Sequence, residues 1–369
     1  MKKFMILAAA VGLTLTSCVN DEETTMLDSR TAITFDAPVM KTSRANMMGE
    51  ITGVKYPQKE AFTVFSKIYQ VKYAGWTTNT EDYFNEAGDS AKHYGGEYWS
   101  TQQVYYWPDA GYNLAFAAYS PAVLGAASQA TTITRTDAGF QITGFVSEPK
   151  SDNQYDLMYS HTVYDRNKSN NASQAVALKF EHALSSIVFS TQKADSTVHY
   201  KITDLEVTGT FCTQGDFNQG ITADTLGGVY TENETPVWKS KKTSSVNYKP
   251  TFNDFEVPDA TPEIFTKGTS AILAIPQDVP QSAKVQITYE KTTNKGLATE
   301  TTTTHSSEIF LKDFKKAAAD GTAIDDGIAT WERGKRYVYR IAFGENQRIY
   351  FEPSITDWEQ QPTLIYTIK

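Results

Sequence analysis

The side chains that most often carry chemistry are few in this sequence and stand far apart. No histidine is spaced as a metal ligand would be in a motif such as H-E-x-x-H; the five histidines are His93, His161, His182, His199 and His305. Cys212, in GTFCTQG, has no histidine nearby to act as its base, which favours a buried or turn cysteine over a nucleophile. The spacing predicts no zinc or haem site, and His182 in FEHALSS is interpreted as a structural hydrogen-bonding residue.

Two further segments have a superficial likeness to ligand-binding loops. DGTAIDDG, residues 320–327, lacks the regular acidic spacing and the closing glutamate of a calcium loop. Gly227-Gly228 has neither the lysine nor the glycine spacing of a phosphate loop. We therefore expect no metal, no cofactor and no catalytic residue. An enzyme would need a carboxylate pair assembled by the fold alone, as in a glycosidase.

Cys18 is the position with the most distinctive chemical context. Met1-Lys2-Lys3 and the mostly apolar run Phe4–Thr16 have the layout of a secretory signal. The run is too short to span a bilayer, which takes about 20 residues. Leu-Thr-Ser-Cys, ending at Cys18, resembles a bacterial lipobox, in which the thiol is acylated and the peptide is cut just before it. A Cys18–Cys212 disulfide or a core cysteine is the alternative, but a core cysteine would not lie among leader residues.

Composition and charge limit the classes of protein to which this chain could belong. The 369 residues are 40% hydrophobic, enough to build the cores of two domains. Lysine and arginine number 34 against 43 acidic residues, a net charge of −9, and no basic cluster stands out. Nucleic acid is therefore excluded as an expected partner, because binding it depends on neutralising phosphates.

Apolar residues alternate with polar ones in many short segments, which predicts a nearly all-β chain. Examples are Phe62 and Val64, Val176 to Phe180, and Tyr337 to Phe343. The best helical segment is Lys312–Asp320, which predicts about two turns. Residues 77–96, 165–175, 213–234 and 291–307 are predicted loops. A polar break within 181–190 predicts two β-sandwich domains.

Eight segments together resemble the fimbrillins of Bacteroidetes, the Mfa-like or type V pilins and their accessory subunits. They are AITFDAPVMKTSRA (32–45), FTVFSKIY (62–69), VYYWPDAGYNLAFAAYSP (104–121), DLMYS (156–160), VALKFEHALSSIVF (176–189), ILAIPQ (272–277), WERGKRYVYRIAF (331–343) and IYFEPSITDWEQ (349–360). The resemblance implies two transthyretin-like β-sandwich domains in tandem, lipoprotein export and assembly by strand exchange. Asn20 to Glu23 resembles the acidic surface-export signal that follows the lipidated cysteine in this group.

In polymerising members of the family, a trypsin-like protease cuts after an arginine that follows the first strand. Ile33, Phe35, Ala37 and Val39 lie on one face of the predicted strand 32–40, so losing it would expose apolar surface and unpaired backbone. Arg44 is the candidate cleavage site, because cutting at Arg30 would leave the strand attached. The alternative for Arg44 is a solvated loop residue.

The C-terminal sequence TLIYTIK predicts a strand that alternates Leu364, Tyr366 and Ile368 with other residues. Such a strand could fill the groove of a neighbouring subunit by donor-strand pairing, or it could pair at the edge of its own domain. The 11 residues after Trp358 make a full-length donor possible but short.

These interpretations predict a signal peptide (1–17), an acidic linker after lipidated Cys18 (18–31), and sandwich domains at 32–183 and 184–369, with 32–44 removable. The expected function is that of a non-enzymatic fimbrial stalk, tip or anchor subunit in the outer membrane, assembled with other fimbrial subunits. The alternative is a monomeric lipoprotein that binds glycan or a host ligand through aromatic loops. Its stacking platforms would be Trp76, Tyr83, Trp99 and Trp107.

Overall fold

The structure is a computed structural model that describes twelve stretches of the chain. They are residues 31–38, 56–70, 80–125, 131–136, 139–171, 175–193, 196–219, 236–259, 261–317, 323–324, 327–344 and 364–365. Within these stretches the only α-helix is the single turn Lys168–Asn171, and short strands form most of the remainder. The expected all-β class is confirmed.

The strands are numbered in chain order. Those before residue 184 are β1 (Phe35–Asp36), β2 (Phe62–Tyr69), β3 (Glu81–Asp82), β4 (Asp89–His93), β5 (Trp99–Thr101), β6 (Asn113–Ser120), β7 (Thr132–Thr136), β8 (Gly139–Val146), β9 (Met158–Ser160), β10 (Val163–Arg166), β11 (Val176–Ala177) and β12 (Phe180–His182). Those after it are β13 (Ser185–Lys193), β14 (His199–Asn218), β15 (Val237–Tyr248), β16 (Phe255–Glu256), β17 (Glu263–Ile264), β18 (Ile272–Ala274), β19 (Gln277–Asp278), β20 (Lys284–Thr293), β21 (Thr301–Phe310), β22 (Lys315–Ala317), β23 (Ala323–Ile324), β24 (Thr330–Trp331), β25 (Arg336–Phe343) and β26 (Leu364–Ile365).

A ten-stranded sheet carries the N-terminal part of the chain, with the order β11-β1-β5-β4-β2-β6-β9-β12 and with β3 and β10 on β2 and β6. Its strand β6 is buried on both faces. Leu114, Phe116 and Ala118 pack into one apolar cluster with β1, which we call the first-strand cluster. The intervening Ala115, Ala117 and Tyr119 pack into a second one, the middle cluster. This strand is therefore apolar on both faces, and its sequence NLAFAAYS has no polar face between its first and last residues.

The other main layers are a seven-stranded sheet, β21-β20-β14-β8-β7 with β15 and β16 on β14, and a four-stranded sheet of β13, β17, β18 and β25. In the four-stranded sheet β13 and β25 run parallel through eight register pairs, from Ser186↔Arg336 to Lys193↔Phe343. Apolar side chains of β13, β14 and β25 meet between these two sheets in a C-terminal cluster. This face-to-face packing is that of a β-sandwich.

The 20-residue strand β14 takes part in two of these clusters. Its Ile202 and Phe211 belong to the C-terminal cluster, whereas Cys212 and Phe217 belong to the middle cluster. It also pairs with β8, from before residue 183. The domain limits 32–183 and 184–369 remain a prediction, and the seven-stranded sheet draws strands from both sides of that limit.

The predicted helix Lys312–Asp320 is wrong over its described part. A 3-10 turn at Leu311–Asp313 leads to strand β22, and residues 318–320 lie outside the described stretches. Phe314, between the turn and the strand, is fully buried with its ring edge-on to Tyr339, the centroids 4.8 Å apart. Tertiary packing of this ring outweighs the weak helical preference of the lysines and alanines around it.

Three predicted loops are also wrong in part. Residues 291–307 lie mostly in a hairpin of β20 and β21 that stays in register through ten pairs. Its threonines suit a pleated strand, but Thr301–Ser306 are exposed, so no apolar alternation marked them. Strand β14 continues to Asn218, inside the predicted loop 213–234, and β4 lies inside the predicted loop 77–96.

Candidate functional site

The first described segment, residues 31–38, has the side-chain pattern expected of a half-buried strand. Ile33, Phe35 and Ala37 are at most 2% exposed. Of the alternate residues, Ala32 is exposed, and Thr34 and Asp36 are half-buried. Burying side chains such as Ile33 and Phe35 stabilises a fold by about 1.5–3 kcal/mol each. Val39, the fourth predicted member of this face, lies outside the described residues.

The backbone of this segment is paired along both of its edges. On one edge its odd-numbered residues face Tyr56 and the stretch 99–107: Phe35 pairs with Trp99, and the hydrogen bonds are Ile33 N to Tyr105 O (2.8 Å), Trp107 N to Thr31 O (3.0 Å) and Tyr56 N to Ala37 O (2.9 Å). On the other edge its even-numbered residues accept from a parallel neighbour: Val176 N to Thr34 O (2.8 Å), Leu178 N to Asp36 O (2.8 Å) and Phe180 N to Pro38 O (2.9 Å). The segment is an inner strand of the sheet, so its loss would leave two unpaired edges around a slot.

The central position of the slot is occupied by the ring of Phe35. Three phenylalanine rings stand edge-on to it, at centroid distances of 6.3 Å for Phe62, 6.3 Å for Phe84 and 5.5 Å for Phe116. Such edge-to-face pairs contribute about 0.5–1.5 kcal/mol each beyond area burial. The pocket is aromatic on three sides and has no polar group among these nearest rings.

Tyr56 closes the slot beside Ala37. Its ring contacts those of Trp99 and Phe180, with centroids 6.1 and 5.3 Å away, and its hydroxyl pairs with that of Ser120 at 2.6 Å. Burial raises the pKa of the Tyr56 phenol well above its usual range. The phenol is thus a fixed neutral hydrogen-bonding group, and Ala37 is a small residue among large rings.

A polar cluster ties the far side of this sheet to the loop before β25. Tyr159 donates to Glu181 at 2.5 Å, His161 Nε2 lies 3.0 Å from the same carboxylate, and Arg333 donates to the Tyr159 hydroxyl at 2.7 Å. The hydrogen bond with His161 lowers the pKa of Glu181 most. The hydrogen bond with Tyr159 and the charge of Arg333 lower it further, to about 2. Glu181 directly follows Phe180, so the cluster holds the strand that lines the slot. No sequence pattern indicates this cluster, because its members are up to 174 positions apart.

The other residues considered in the sequence have structural environments. His182 forms the expected buried hydrogen bond, with its Nδ1 3.0 Å from an Asp156 carboxylate oxygen. Cys212 is a free, buried thiol whose backbone amide donates to Gln277 at 2.6 Å. Burial raises the pKa of the Cys212 thiol, the opposite of what a nucleophilic thiolate needs.

The aromatic residues of the glycan-binding alternative are mostly buried. Trp99 and Trp107 are 2% and 4% exposed and belong to the first-strand cluster, so neither presents a ring face to solvent. Tyr83 is half-buried and donates to the carbonyl oxygen of Tyr106, and Trp76 lies outside the described residues. Two of the four expected stacking platforms therefore serve as core.

Several predicted positions fall where the structure gives no description. Cys18 and Arg44 are outside the described stretches, as are Tyr366 and Ile368. Leu364 lies in strand β26, where Leu364 and Ile365 pair with Lys316 and Lys315 of β22 in the same chain. The donor role of this strand remains a prediction.

In the described stretches, no three or more histidine, cysteine or acidic side chains are arranged to hold a metal ion. Within the same stretches, no helix has the length and hydrophobicity needed to cross a membrane.

The fold and the site together define an all-β protein whose first strand is an inner strand of its sheet. The chain belongs to the fimbrillin-like family, since the sequence model of that family matches residues 59–358. This match begins after the segment 31–38.

Two solved structures illustrate what this chain is similar to. A fimbrial protein from Bacteroides vulgatus is 18% identical in sequence, with a TM-score of 0.54, over 88% of this chain and 99% of that one. A candidate cell adhesion protein from Bacteroides uniformis is 13% identical with a TM-score of 0.47, over 90% of this chain and 100% of the other. The comparison with curated proteins gives no match.

These comparisons confirm the expected family and the β-sandwich fimbrial fold. Family membership supports the role of a fimbrial subunit at the cell surface, associated with other fimbrial subunits. It also indicates a structural protein rather than an enzyme.

Proposed function

We propose that the chain is a structural subunit of surface fimbriae that joins other subunits by strand exchange. In this proposal the segment 31–38 is removed from its sheet, and an extended segment of another subunit replaces it. The observation that carries the proposal is that this short segment is paired along both edges and that its own Ile33, Phe35 and Ala37 are buried.

The energetics of the slot favour refilling. Removing the segment would expose the rings around Phe35 and free the amides of Val176, Leu178 and Phe180, which each donate to it. Each such main-chain hydrogen bond contributes about 0.5–1.5 kcal/mol net, so losing all three is unfavourable. Another extended strand can restore both the main-chain bonds and the apolar contacts, which is the physical basis of donor-strand pairing.

Processing and anchoring complete the proposal. Arg44 lies in the connection between the first strand and the next described residue, Tyr56, so cleavage after it would separate the strand from the remainder of the chain. Lipid on Cys18 would bring the precursor to the outer membrane before that cleavage. Acyl chains bind membranes with about 0.8 kcal/mol per buried methylene, so two or three hold a protein firmly.

The C-terminal strand is the proposed contribution of this chain to a neighbour. Its Leu364, Tyr366 and Ile368 alternate as a donor strand requires. Whether the neighbour is a second copy or a different subunit depends on how well these side chains fit the slot that receives them.

The test compares three chains expressed in their native bacterium: wild type, Arg44→Ala and Lys41→Ala. Lys41 is the matched control, because it is a second basic residue of the same connection. We expect wild type and Lys41→Ala to enter high-mass fimbrial assemblies in the outer membrane, and Arg44→Ala to remain as uncleaved monomer. Assembly of Arg44→Ala at the wild-type level would contradict the proposal.

A further inference from the structure

We propose that the slot occupied by residues 31–38 selects an incoming strand with the pattern aliphatic–x–Phe–x–small. It discriminates against the C-terminal strand of this chain. The partner that fills the slot is therefore a different subunit and not a second copy. This inference rests on the proposed strand exchange and specifies its partner.

The central pocket requires an aromatic ring without a hydroxyl. Phe35 is fully buried and its three nearest aromatic neighbours, Phe62, Phe84 and Phe116, are all phenylalanines. A tyrosine in the same place would bury a hydroxyl against rings that offer it no acceptor. Leaving such a group unpaired weakens binding by about tenfold.

The pocket of Ala37 requires a small side chain. Ala37 is fully buried in the first-strand cluster, where Tyr56 packs against Phe62, Trp99 and Phe180. The Tyr56 phenol is fixed by bonds to Ala61 and Ser120, so its ring has little freedom to withdraw. Protein cores are close-packed, and inserting three extra carbon atoms weakens binding by about tenfold or more.

The C-terminal strand fits the position of Ile33 but not the pockets of Phe35 and Ala37. Running parallel to the removed segment, it would place Leu364, Tyr366 and Ile368 where Ile33, Phe35 and Ala37 now lie. Running antiparallel, it would place the same residues in the reverse order.

Either direction brings Tyr366 to the phenylalanine pocket and a large aliphatic residue to the alanine pocket. The opposite face of the strand is worse, because it offers the hydroxyls of Thr363 and Thr367 to buried positions.

The same strand has a place within its own chain. Leu364 and Ile365 pair in antiparallel fashion with Lys316 and Lys315 of β22. Donating the strand to another copy would break this pairing without a matching gain in the slot. Both observations favour an assembly in which this subunit receives a strand from a different protein.

The experiment uses the full chain with residues 41–45 replaced by the recognition sequence of a specific protease. Cleavage leaves the first strand bound but no longer covalently attached. Native mass spectrometry then measures its replacement by synthetic peptides. The peptides are residues 31–38 as reference, residues 362–369, and residues 362–369 with Tyr366→Phe combined with either Ile368→Ala or Leu364→Ala. The 362–369 peptide with the single change Lys369→Ala serves as the matched control.

We expect the reference peptide to replace the first strand and the 362–369 peptide to bind about 100-fold more weakly. One of the two double substitutions should regain most of that loss, and which one reports the direction of insertion. Lys369→Ala should leave binding unchanged. Equal binding of the 362–369 and reference peptides would overturn the inference while leaving strand exchange intact. If even the reference peptide fails to enter, strand exchange itself is overturned, and this inference with it.

Discussion

The ring of Phe35 stands edge-on to the ring of Phe116, with the centroids 5.5 Å apart and the planes at 77°. Phe116 lies in β6, the strand whose two faces serve two apolar clusters, whereas Phe35 belongs to a two-residue strand near the start of the described chain. The contact therefore connects the segment proposed to be removed with β6, a strand that remains in the sheet.

Replacing Phe35 with alanine should lower the free energy of unfolding by about 3–5 kcal/mol, because it removes a fully buried ring and leaves a cavity. Thr34→Ala is the control, since Thr34 directly precedes Phe35 in the same segment but its side chain is only half-buried. Urea unfolding should show a loss below about 1 kcal/mol for the control. Similar losses for both variants would mean that the Phe35 pocket does not hold the segment.

The polar cluster around Glu181 should make stability fall in acid. The folded chain holds the pKa of Glu181 near 2, below its usual 4.5, chiefly through the hydrogen bond with His161. A lowered pKa contributes stability that is fully present above about pH 4.5 and is lost as the pH falls towards 2.

In urea unfolding at pH 7, 4.5 and 2.5, wild type should lose about 1 kcal/mol more than Glu181→Gln on going below pH 4.5, after allowance for solvent screening. Tyr159→Phe removes one hydrogen bond to the carboxylate and should give an intermediate profile. Identical pH profiles for wild type and Glu181→Gln would refute this account of the cluster.

Gly139 should not tolerate alanine. It has a φ of +146°, and an added Cβ would lie 1.9 Å from Oε1 of Gln219, whose oxygen accepts from the Phe140 amide. Gly111 is the matched control, because its φ is also positive but no heavy atom lies within 4 Å of an added Cβ. Gly139→Ala should cost about 2 kcal/mol more than Gly111→Ala in thermal or urea unfolding. Equal costs would show that Gln219 moves aside freely.

Cys18→Ala should move the protein from the membrane fraction to the soluble fraction, because it removes the proposed lipid attachment point. Cys212→Ala is the control, since that thiol is buried within the fold. Fractionation and intact-mass measurement of the unprocessed precursor check the result. Retention of Cys18→Ala in the membrane, or loss of Cys212→Ala from it, would contradict the lipid assignment.

The sequence predicted the buried face of the first segment more accurately than it predicted the arrangement of the surrounding sheets. Alternation in 32–40 correctly placed Ile33, Phe35 and Ala37 on a buried face, since a strand with one apolar face leaves a clear period of two. It also placed His182 in a structural hydrogen bond. What it could not show was that the backbone of this segment is paired on both edges, because those neighbours are about 70 and 140 residues away.

Elements without an apolar period were mispredicted. In the hairpin of β20 and β21, the threonines at the start of β21 are exposed on both faces, so that strand lacks the pattern that identifies a half-buried one. Trp99 and Trp107 were considered as stacking platforms because they lie in loop-like sequence, but the fold buries both around the first strand. The Glu181 cluster combines residues from distant strands, and only the three-dimensional structure brings them together.

The most direct test of strand exchange is the N-terminal sequence and intact mass of the chain recovered from native fimbrial assemblies. The account predicts an assembled chain that begins at Ala45, with residues 31–38 absent and the slot occupied by a strand of another subunit. An assembled chain that still begins at acylated Cys18 and retains residues 31–38 would contradict it.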